Sequence, residues 1–375
     1  MSNSSSTHSQ LDNIYRRTGG FLKGICHPRG EIDGLLEAGL QWIRFDIPYP
    51  FNADGTWTQA FLTYKATCES YAARGIRTVG ITPYPKAFLA NGIDPRTPEG
   101  LAAAEEVCMR IAEALRGAVG CWQITNEMWV IGFRAPLTDS EATDFLIACT
   151  RGVRRGDPDG IVGHNSGYRP RVEQEAGRSD YIGLDLYAGS WGDGGPADYI
   201  RRIDELYEEA DHTPVILMEF GFASIGGQVL DPDAEIRAYL NARGFADLDD
   251  AVRRADEYIE TLPKPLQREA KTCAPEDLES FIRSGWEHLL KKWFSHGTLP
   301  HTEEGQAAFY RELLPMLLEN EHLAGAILYC WQDSPYCGNC GAEDCPCETA
   351  WGITRVDGSR KPAYDAIRDV FTQDR

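Results

Sequence analysis

Eight short apolar runs, each followed by a polar or Gly/Pro-containing segment and then a helix-like stretch, constrain the fold of this chain most strongly. They cover residues 21–27, 42–48, 77–83, 121–127, 161–166, 181–187, 214–220 and 325–332. Most of the runs lack strict alternation of apolar and polar residues, as expected for strands covered on both faces. Between them lie helical patterns such as the one that opens at Pro98 and stops at Gly117.

Eight strands with crossover helices favour a closed α/β barrel, the (β/α)8 TIM barrel, over an open doubly wound sheet of about six strands. The segment KGICHPRGEI covers the end of the first run and the residues after it, where a dinucleotide-binding protein carries a glycine-rich loop. We therefore expect no organic cofactor. The sequence predicts one catalytic barrel over residues 16–375, preceded by a disordered segment at residues 1–15.

The regular spacing breaks after the seventh run, where more than 100 residues separate Glu219 from the eighth run. Charged helical patterns fill about residues 224–300, and a further helix and the last strand follow them. This order predicts a helical insertion in the loop after strand seven. Helical periodicity does not distinguish a lid over the site from a stabilising outgrowth.

The charge balance excludes some partners. With 37 Lys and Arg against 57 Asp and Glu, the formal net charge is −20, which repels nucleic acid and anionic membrane surfaces. No apolar stretch approaches the roughly 18 residues of a membrane span, and the N-terminus lacks the apolar core of a secretory signal. We expect a cytoplasmic protein whose 11 cysteines are reduced or bound to metal.

Two glutamates lie at the ends of apolar runs, where a barrel enzyme collects its chemistry. Glu127 ends the fourth run after Asn126, and Glu219 lies near the end of the seventh. Strands four and seven are on opposite sides of an eight-stranded barrel, so the two side chains can converge on one cavity. A pair of carboxylates around a glycosidic bond is the working part of sugar hydrolysis.

The joint placement of these residues resembles clan A of the glycoside hydrolases, the (β/α)8 retaining glycosidases that include family 5. The resemblance extends from about residue 21 to the closing segment WGITRVDGSRKPAYDAI. It departs from the clan at Asp185, because much of the clan has His two residues before its strand-six Tyr. The residues that carry it are Arg44 on strand two, Asn126 and Glu127 on strand four, Tyr187 on strand six, Glu219 on strand seven and Trp331 on strand eight.

The resemblance implies that Glu127 is the general acid/base and Glu219 the nucleophile of a double displacement that retains the anomeric configuration. Arg44 would hold Glu219 ionised and Tyr187 would orient it. A retaining enzyme separates its two carboxyl groups by about 5–5.5 Å. The remaining substrate contacts expected are a 2-hydroxyl hydrogen bond from Asn126, aromatic stacking on Trp331 and Trp129, and hydroxyl contacts from His164 and Asn165.

The segment SPYCGNCGAEDCPCETAWG places four cysteines in eleven residues of the loop after strand eight. Thiolates this close favour a tetrahedral structural zinc site, while two disulfides or free thiols remain as alternatives. Four thiolates leave no coordination position for a reacting water, so a catalytic zinc is disfavoured. The expected ligands are Cys337, Cys340, Cys345 and Cys347.

Two other functions compete with a glycosidase that cleaves a β-glycosidic bond of a small glycoside or oligosaccharide. A metal-dependent hydrolase would use His27 on strand one and His164 on strand five as ligands, but no third ligand is evident on neighbouring strands. A barrel that binds carbohydrate without cleaving it is the other alternative. Both carboxylates are present, which favours catalysis.

Overall fold

A closed barrel of eight parallel strands forms the centre of the protein in the computed structural model, which describes residues 4–373. The strands β1 to β8 are Leu22–Cys26, Trp42–Asp46, Arg77–Ile81, Cys121–Gln123, Ile161–His164, Tyr181–Leu186, Val215–Phe220 and Leu323–Leu328. Each strand pairs with its neighbours in chain order, and β1 closes the ring against β8. The predicted (β/α)8 barrel is confirmed: seven of the predicted runs contain one strand each, and the eighth overlaps the strand that starts two residues before it.

Outer helices follow the strands in turn and cover the barrel. Those after β1 to β6 are Ile32–Glu37, Gln59–Ala72, Pro98–Leu115, Asp139–Gly156, Pro170–Ala176 and Pro196–Glu209. Glu303–Glu319 precedes β8, Pro362–Phe371 follows it, and the short helices Pro85–Ala90, Ile131–Arg134 and Pro346–Thr349 lie in loops at the strand ends. Two apolar clusters between strands and outer helices, and a third in the barrel interior, make up most of the core.

Helix boundaries follow the local sequence signals. Thr97 caps the helix that starts at Pro98, because its hydroxyl accepts a 3.0 Å hydrogen bond from the Gly100 amide. The chain leaves that helix through Gly117, whose φ of +83° favours glycine. The predicted start at Pro98 and stop at Gly117 therefore match the structure.

The segment between β7 and the helix Glu303–Glu319 is helical. Its helices are Pro232–Asn241, Leu248–Arg253, Ala255–Thr261, Lys264–Ala270, Leu278–Arg283 and Trp286–Leu290, with a 3₁₀ turn at Pro275–Asp277. They enclose an apolar cluster of their own that includes Tyr258 and Trp286. The two short strands Gly227–Gln228 and Lys292–Trp293 pair at the base, so the segment leaves and rejoins the barrel at one place.

The N-terminal segment differs from the disorder expected at residues 1–15. A helix spans Ser4–Thr18; residues 1–3 lie outside the described part of the chain. Ile14 is buried in the same cluster as interior residues of β1 and β2, and the Tyr15 hydroxyl donates a 3.0 Å hydrogen bond to the Leu323 carbonyl. Leu11, Ile14 and Tyr15 share one helical face, which covers the amino ends of the strands despite the serine-rich start. Within residues 4–373, no helix has the length and apolar character required to cross a membrane.

Truncating Ile14 tests whether this helix belongs to the folded core. Because the side chain is 1% exposed, Ile14→Ala should lower the free energy of unfolding by about 2–5 kcal/mol. Leu230 is 91% exposed, so Leu230→Ala should change the same quantity by less than about 0.5 kcal/mol. Urea denaturation followed by circular dichroism measures both. Equal stability of the two variants would contradict the packing of this helix against the barrel.

Candidate active site

A cavity of about 1140 Å³ lies at the carboxyl ends of the strands. Both predicted catalytic residues line it, and so do four of the seven predicted substrate contacts. The structure therefore brings residues that are far apart in sequence to one concave surface. The six are Arg44, Asn126, Glu127, Trp129, Tyr187 and Glu219.

The buried guanidinium of Arg44 is the centre of the polar network at the base of the cavity. Its Nη1 donates a 2.7 Å hydrogen bond to Oε1 of Glu219, and its Nη2 donates one of the same length to Oδ1 of Asn126. Its Nε donates to Oε1 of Gln123, also at 2.7 Å. The side chain is 1% exposed, so these charge-assisted bonds offset the cost of burying the cation. One residue of β2 thus positions groups on β4 and β7.

Glu219 is held at both carboxylate oxygens. Arg44 contacts Oε1, while the Tyr187 hydroxyl donates a 2.5 Å hydrogen bond to Oε2. Tyr187 follows β6 directly, and its ring contacts Trp351 edge to face at a centroid distance of 4.8 Å. The carboxylate of Glu219 therefore has a fixed position and orientation in the wall of the cavity.

Glu127 lies in a strained turn rather than in the strand. The strand β4 ends at Gln123, and the next residues include Thr125 at φ +54° and Glu127 at φ +43°. Non-glycine residues in this region cost of the order of 1–3 kcal/mol each. Hydrogen bonds hold the turn: the Thr125 amide donates to Thr82 Oγ1 at 2.9 Å, and the Glu127 amide donates to Asn165 Oδ1 at 3.1 Å. The predicted fourth run therefore ends in a turn whose residues Asn126 and Glu127 both line the cavity.

The surroundings of Glu127 favour its protonated form. Burial, followed by repulsion from the Glu219 carboxylate, raises the pKa of Glu127 to about 8, although Arg44 opposes the shift. The side-chain amide of Asn126 donates a long hydrogen bond, 3.4 Å from its Nδ2 to Oε2 of Glu127. Two carboxyl groups in one cavity thus have different neighbours, which is the arrangement that separates acid from nucleophile.

Asn165 and His164 do not line the cavity, contrary to prediction. Asn165 is fully buried behind the carboxylates, where its Nδ2 donates to Asn126 Oδ1 at 2.5 Å and to Asp185 Oδ2 at 2.6 Å. His164 is the last residue of β5 and faces the outer helices, with its Nε2 3.4 Å from Oε1 of Glu173. Consecutive strand residues face opposite sides. Asn165 therefore contacts Asn126 and Asp185 instead of the cavity, and His164 belongs to the barrel exterior.

Trp331, for which stacking on a sugar was predicted, does not line the cavity either. The strand β8 ends at Leu328, and beyond it the regular alternation of faces is lost. Trp331 is 4% exposed and contacts the ring of Tyr364 at a centroid distance of 6.1 Å. The aromatic residues of this region that line the cavity are Tyr329 and Trp351.

Asp185 and Glu348 are among the further carboxyl groups that line the cavity. Asp185 pairs in register with Glu219 across β6 and β7, and burial followed by repulsion from Glu219 raises its pKa well above the usual range. Burial also raises the pKa of Glu348, which lies on the short helix after the cysteine-rich loop. The sequence singled out Asp185 only as a departure from the clan. Its position near the end of the sixth run was the feature that could have placed it in the cavity. Glu348 has no such signal.

Three more residues at the ends of the first strands line the cavity without having been predicted as substrate contacts. They are His27 after β1, Asp46 at the end of β2 and Tyr84 after β3. The Tyr84 hydroxyl donates a 2.9 Å hydrogen bond to Asp46, and His27 contacts Tyr329 edge to face. Searching every strand end, rather than only those with glutamates, would have found them.

The cysteine-rich loop forms a different set of potential ligands from the one predicted. Cys337, Cys340 and Cys345 lie together with His288 of the insertion, and Cys347 is not among them. Cys347 lines the cavity instead. All eleven cysteines carry free thiols in the structure. Among the described residues, no group of three potential ligands includes His27 or His164, as the metal-hydrolase alternative requires.

Solved structures with the same fold include several glycoside hydrolases. A family 39 glycoside hydrolase from Bacteroides cellulosilyticus WH2 is 15% identical with a TM-score of 0.57, covering 95% of this chain and 64% of that one. The GH53 catalytic domain of Ignisphaera aggregans is 16% identical with a TM-score of 0.55, covering 96% and 94%. A glucosidase from Croceicoccus marinus is 13% identical with a TM-score of 0.57, covering 94% and 68%.

At these identities the similarity establishes a shared barrel fold. This chain spans less than two thirds of the length of the family 39 enzyme. No protein-family model matches the sequence, and no curated protein matches it.

The charge state of Glu127 is directly measurable. In protein labelled with ¹³C at glutamate carboxyl carbons, the resonance that disappears in Glu127→Gln should titrate near pH 8 in the wild type. Glu219→Gln should lower this pKa, because it removes the largest repulsion. Glu348→Gln is the matched control and should lower it less, because its repulsion is smaller. A wild-type pKa near the ordinary value of about 4.3 would contradict the assigned environment.

Proposed function

We propose that this protein is a retaining glycosidase that cleaves a β-glycosidic bond of a small glycoside or oligosaccharide. The observation that carries the proposal is the placement of Glu127 and Glu219 in one cavity, joined through Asn126 and Arg44. In the first step, the Glu219 carboxylate attacks the anomeric carbon while Glu127 gives its proton to the leaving oxygen. In the second step, Glu127 takes a proton from water, which attacks the anomeric carbon and releases Glu219.

The contacts of each glutamate suit its proposed role. A nucleophile must be fixed in orientation, and hydrogen bonds from Arg44 and Tyr187 fix both oxygens of Glu219. A general acid must carry a proton at working pH, and a pKa of about 8 supplies it at neutral pH. After the glycosyl ester forms, Glu219 no longer carries a charge. The pKa of Glu127 then falls, which suits the switch from acid to base.

Asn126 supports the binding of a sugar hydroxyl. Its Oδ1 accepts hydrogen bonds from Arg44, Gln123 and Asn165, so the amide cannot rotate without losing all three. Its Nδ2 remains as a donor beside Glu127. A hydrogen bond from this group to the 2-hydroxyl strengthens as positive charge develops on the sugar ring.

The walls of the cavity also suit a carbohydrate. Trp129 and Trp191 line it while 43% and 40% exposed, so each presents a ring face or edge to a ligand. Indole rings combine a flat apolar surface with an N–H donor, which matches the mixed faces of a pyranose. Arg268 and Glu269 of the insertion line the same cavity. A wall on this side favours a short substrate over an extended polymer. The fold shared with glycoside hydrolases supports glycoside hydrolysis as the reaction.

Chemical rescue tests the proposed roles. On a panel of nitrophenyl β-glycosides, Glu219→Gly should lose turnover, and azide should restore it with formation of the glycosyl azide of inverted configuration. Chloride at equal ionic strength is the control and should restore nothing. Glu127→Gln should lower kcat by about 10²–10⁴-fold on substrates whose leaving group needs a proton.

Two results would overturn the proposal. Full activity of Glu219→Gly would exclude Glu219 as nucleophile. Binding of glycosides with no turnover by the wild type over the whole panel would indicate a carbohydrate-binding barrel instead.

A further inference from the structure

The insertion and the loop after β8 meet at a cluster of four potential metal ligands. His288 lies on the helix Trp286–Leu290, and the three cysteines lie between β8 and the helix Pro346–Thr349. The ligand atoms, one imidazole nitrogen and three sulfurs, are all within 4.8 Å of one another. We call this set the Cys₃His cluster; its members are His288, Cys337, Cys340 and Cys345.

Two nitrogen–sulfur distances within the cluster are close to those of a tetrahedral site. Zinc bonds of about 2.3 Å to sulfur and about 2.0 Å to nitrogen place neighbouring ligand atoms about 3.5–3.8 Å apart. The Nδ1 atom of His288 is 3.4 Å from Sγ of Cys337 and 3.6 Å from Sγ of Cys345. His288, Cys337 and Cys345 are buried, while Cys340 is half-buried. The same ring nitrogen faces both sulfurs, as a shared ion requires.

Neighbouring backbone and side-chain groups provide the hydrogen bonds that metal ligands need. The Cys340 amide donates a 3.3 Å hydrogen bond to Sγ of Cys337, a contact that stabilises a thiolate. The side-chain amide of Asn339 is 3.2 Å from Nε2 of His288. If Nδ1 binds a metal, Nε2 carries the proton, and the Asn339 amide turns its oxygen to accept it. His288 therefore has a partner for each ring nitrogen.

We propose that the Cys₃His cluster binds one zinc ion that fastens the insertion to the loop after β8. Three thiolates and one imidazole suit zinc by ligand softness and fill its four coordination positions. The ion is therefore structural. This set differs from the four cysteines predicted from the sequence in that His288 replaces Cys347.

The location of the cluster gives the ion a role in shaping the active-site cavity. His288 and Asn339 line the cavity on one side of the cluster, and Cys347 and Glu348 line it a few residues further along the chain. The insertion has a second attachment, in which Arg134 donates two hydrogen bonds of 2.7 and 2.9 Å to Asp277. With zinc at one end and this ion pair at the other, the insertion is a fixed wall rather than a swinging lid.

Metal content of the full-length chain, purified under reducing conditions, tests the proposal. After dialysis against a chelator, elemental analysis should find one zinc ion per wild-type chain. His288→Ala and Cys340→Ser should lose the zinc. Cys347→Ser and Cys273→Ser are the matched controls and should keep it, because neither thiol belongs to the cluster. Cobalt exchanged into the wild type should show thiolate-to-metal charge-transfer absorption that is absent from His288→Ala.

The wild type alone can overturn the proposal, even if a variant fails to fold. Zinc-free protein in which Cys337, Cys340 and Cys345 are reduced would exclude the site, and so would a mass that reveals two disulfides in protein purified without reductant. Loss of zinc from Cys347→Ser together with its retention in His288→Ala would assign a four-cysteine site instead. Limited proteolysis tests the structural role: stripping zinc should speed cleavage within residues 226–300, and unchanged cleavage would contradict it. These readouts are independent of glycosidase activity.

Discussion

The ion pair between Arg44 and Glu219 is the interaction on which the proposed active site depends. The guanidinium is almost fully buried, and a cation in that position destabilises the barrel unless its donors are satisfied. Its three oxygen partners come from β7, from β4 and from the turn after β4, at 2.7 Å each. The hydrogen bonds that offset the cost of burying this cation also fix Glu219 and, through Asn126, the segment that carries Glu127. One set of contacts therefore supports both the stability of the barrel and the geometry of the proposed active site.

Around this centre, the cavity gives two glutamates opposite surroundings. Glu219 accepts hydrogen bonds from Arg44 and Tyr187, whereas Glu127 is buried and faces other carboxyl groups, which raises its pKa to about 8. Burial also raises the pKa of two other acid groups that line the cavity, Asp185 and Glu348. The insertion supplies the wall that the barrel lacks. If zinc holds that wall, the shape of the cavity depends on a metal that takes no part in the proposed reaction.

The sequence predicted the features that follow from the barrel. It missed those that depend on the direction in which individual side chains point. The eight apolar runs predicted the barrel. The two glutamates at the ends of runs predicted where the cavity lies, because parallel strands bring their carboxyl ends to one face. His164 and Trp331 were assigned to the cavity wrongly, since the point at which a strand ends decides which way the next side chains face. His288 was missed because it lies about 50 residues before the cysteines, in an insertion whose fold follows no strand-end rule. The N-terminal helix was missed because its serine-rich start suggested disorder, although Leu11, Ile14 and Tyr15 form an apolar face.

The stereochemistry of hydrolysis tests the central claim most directly. Proton NMR of a β-glycoside reaction, recorded before the released sugar mutarotates, identifies the anomer that forms first. Attack by Glu219 followed by attack of water predicts the β-anomer, with configuration retained. Initial release of the α-anomer would mean that water attacks directly. It would contradict the assignment of Glu219 as a nucleophile facing a protonated Glu127.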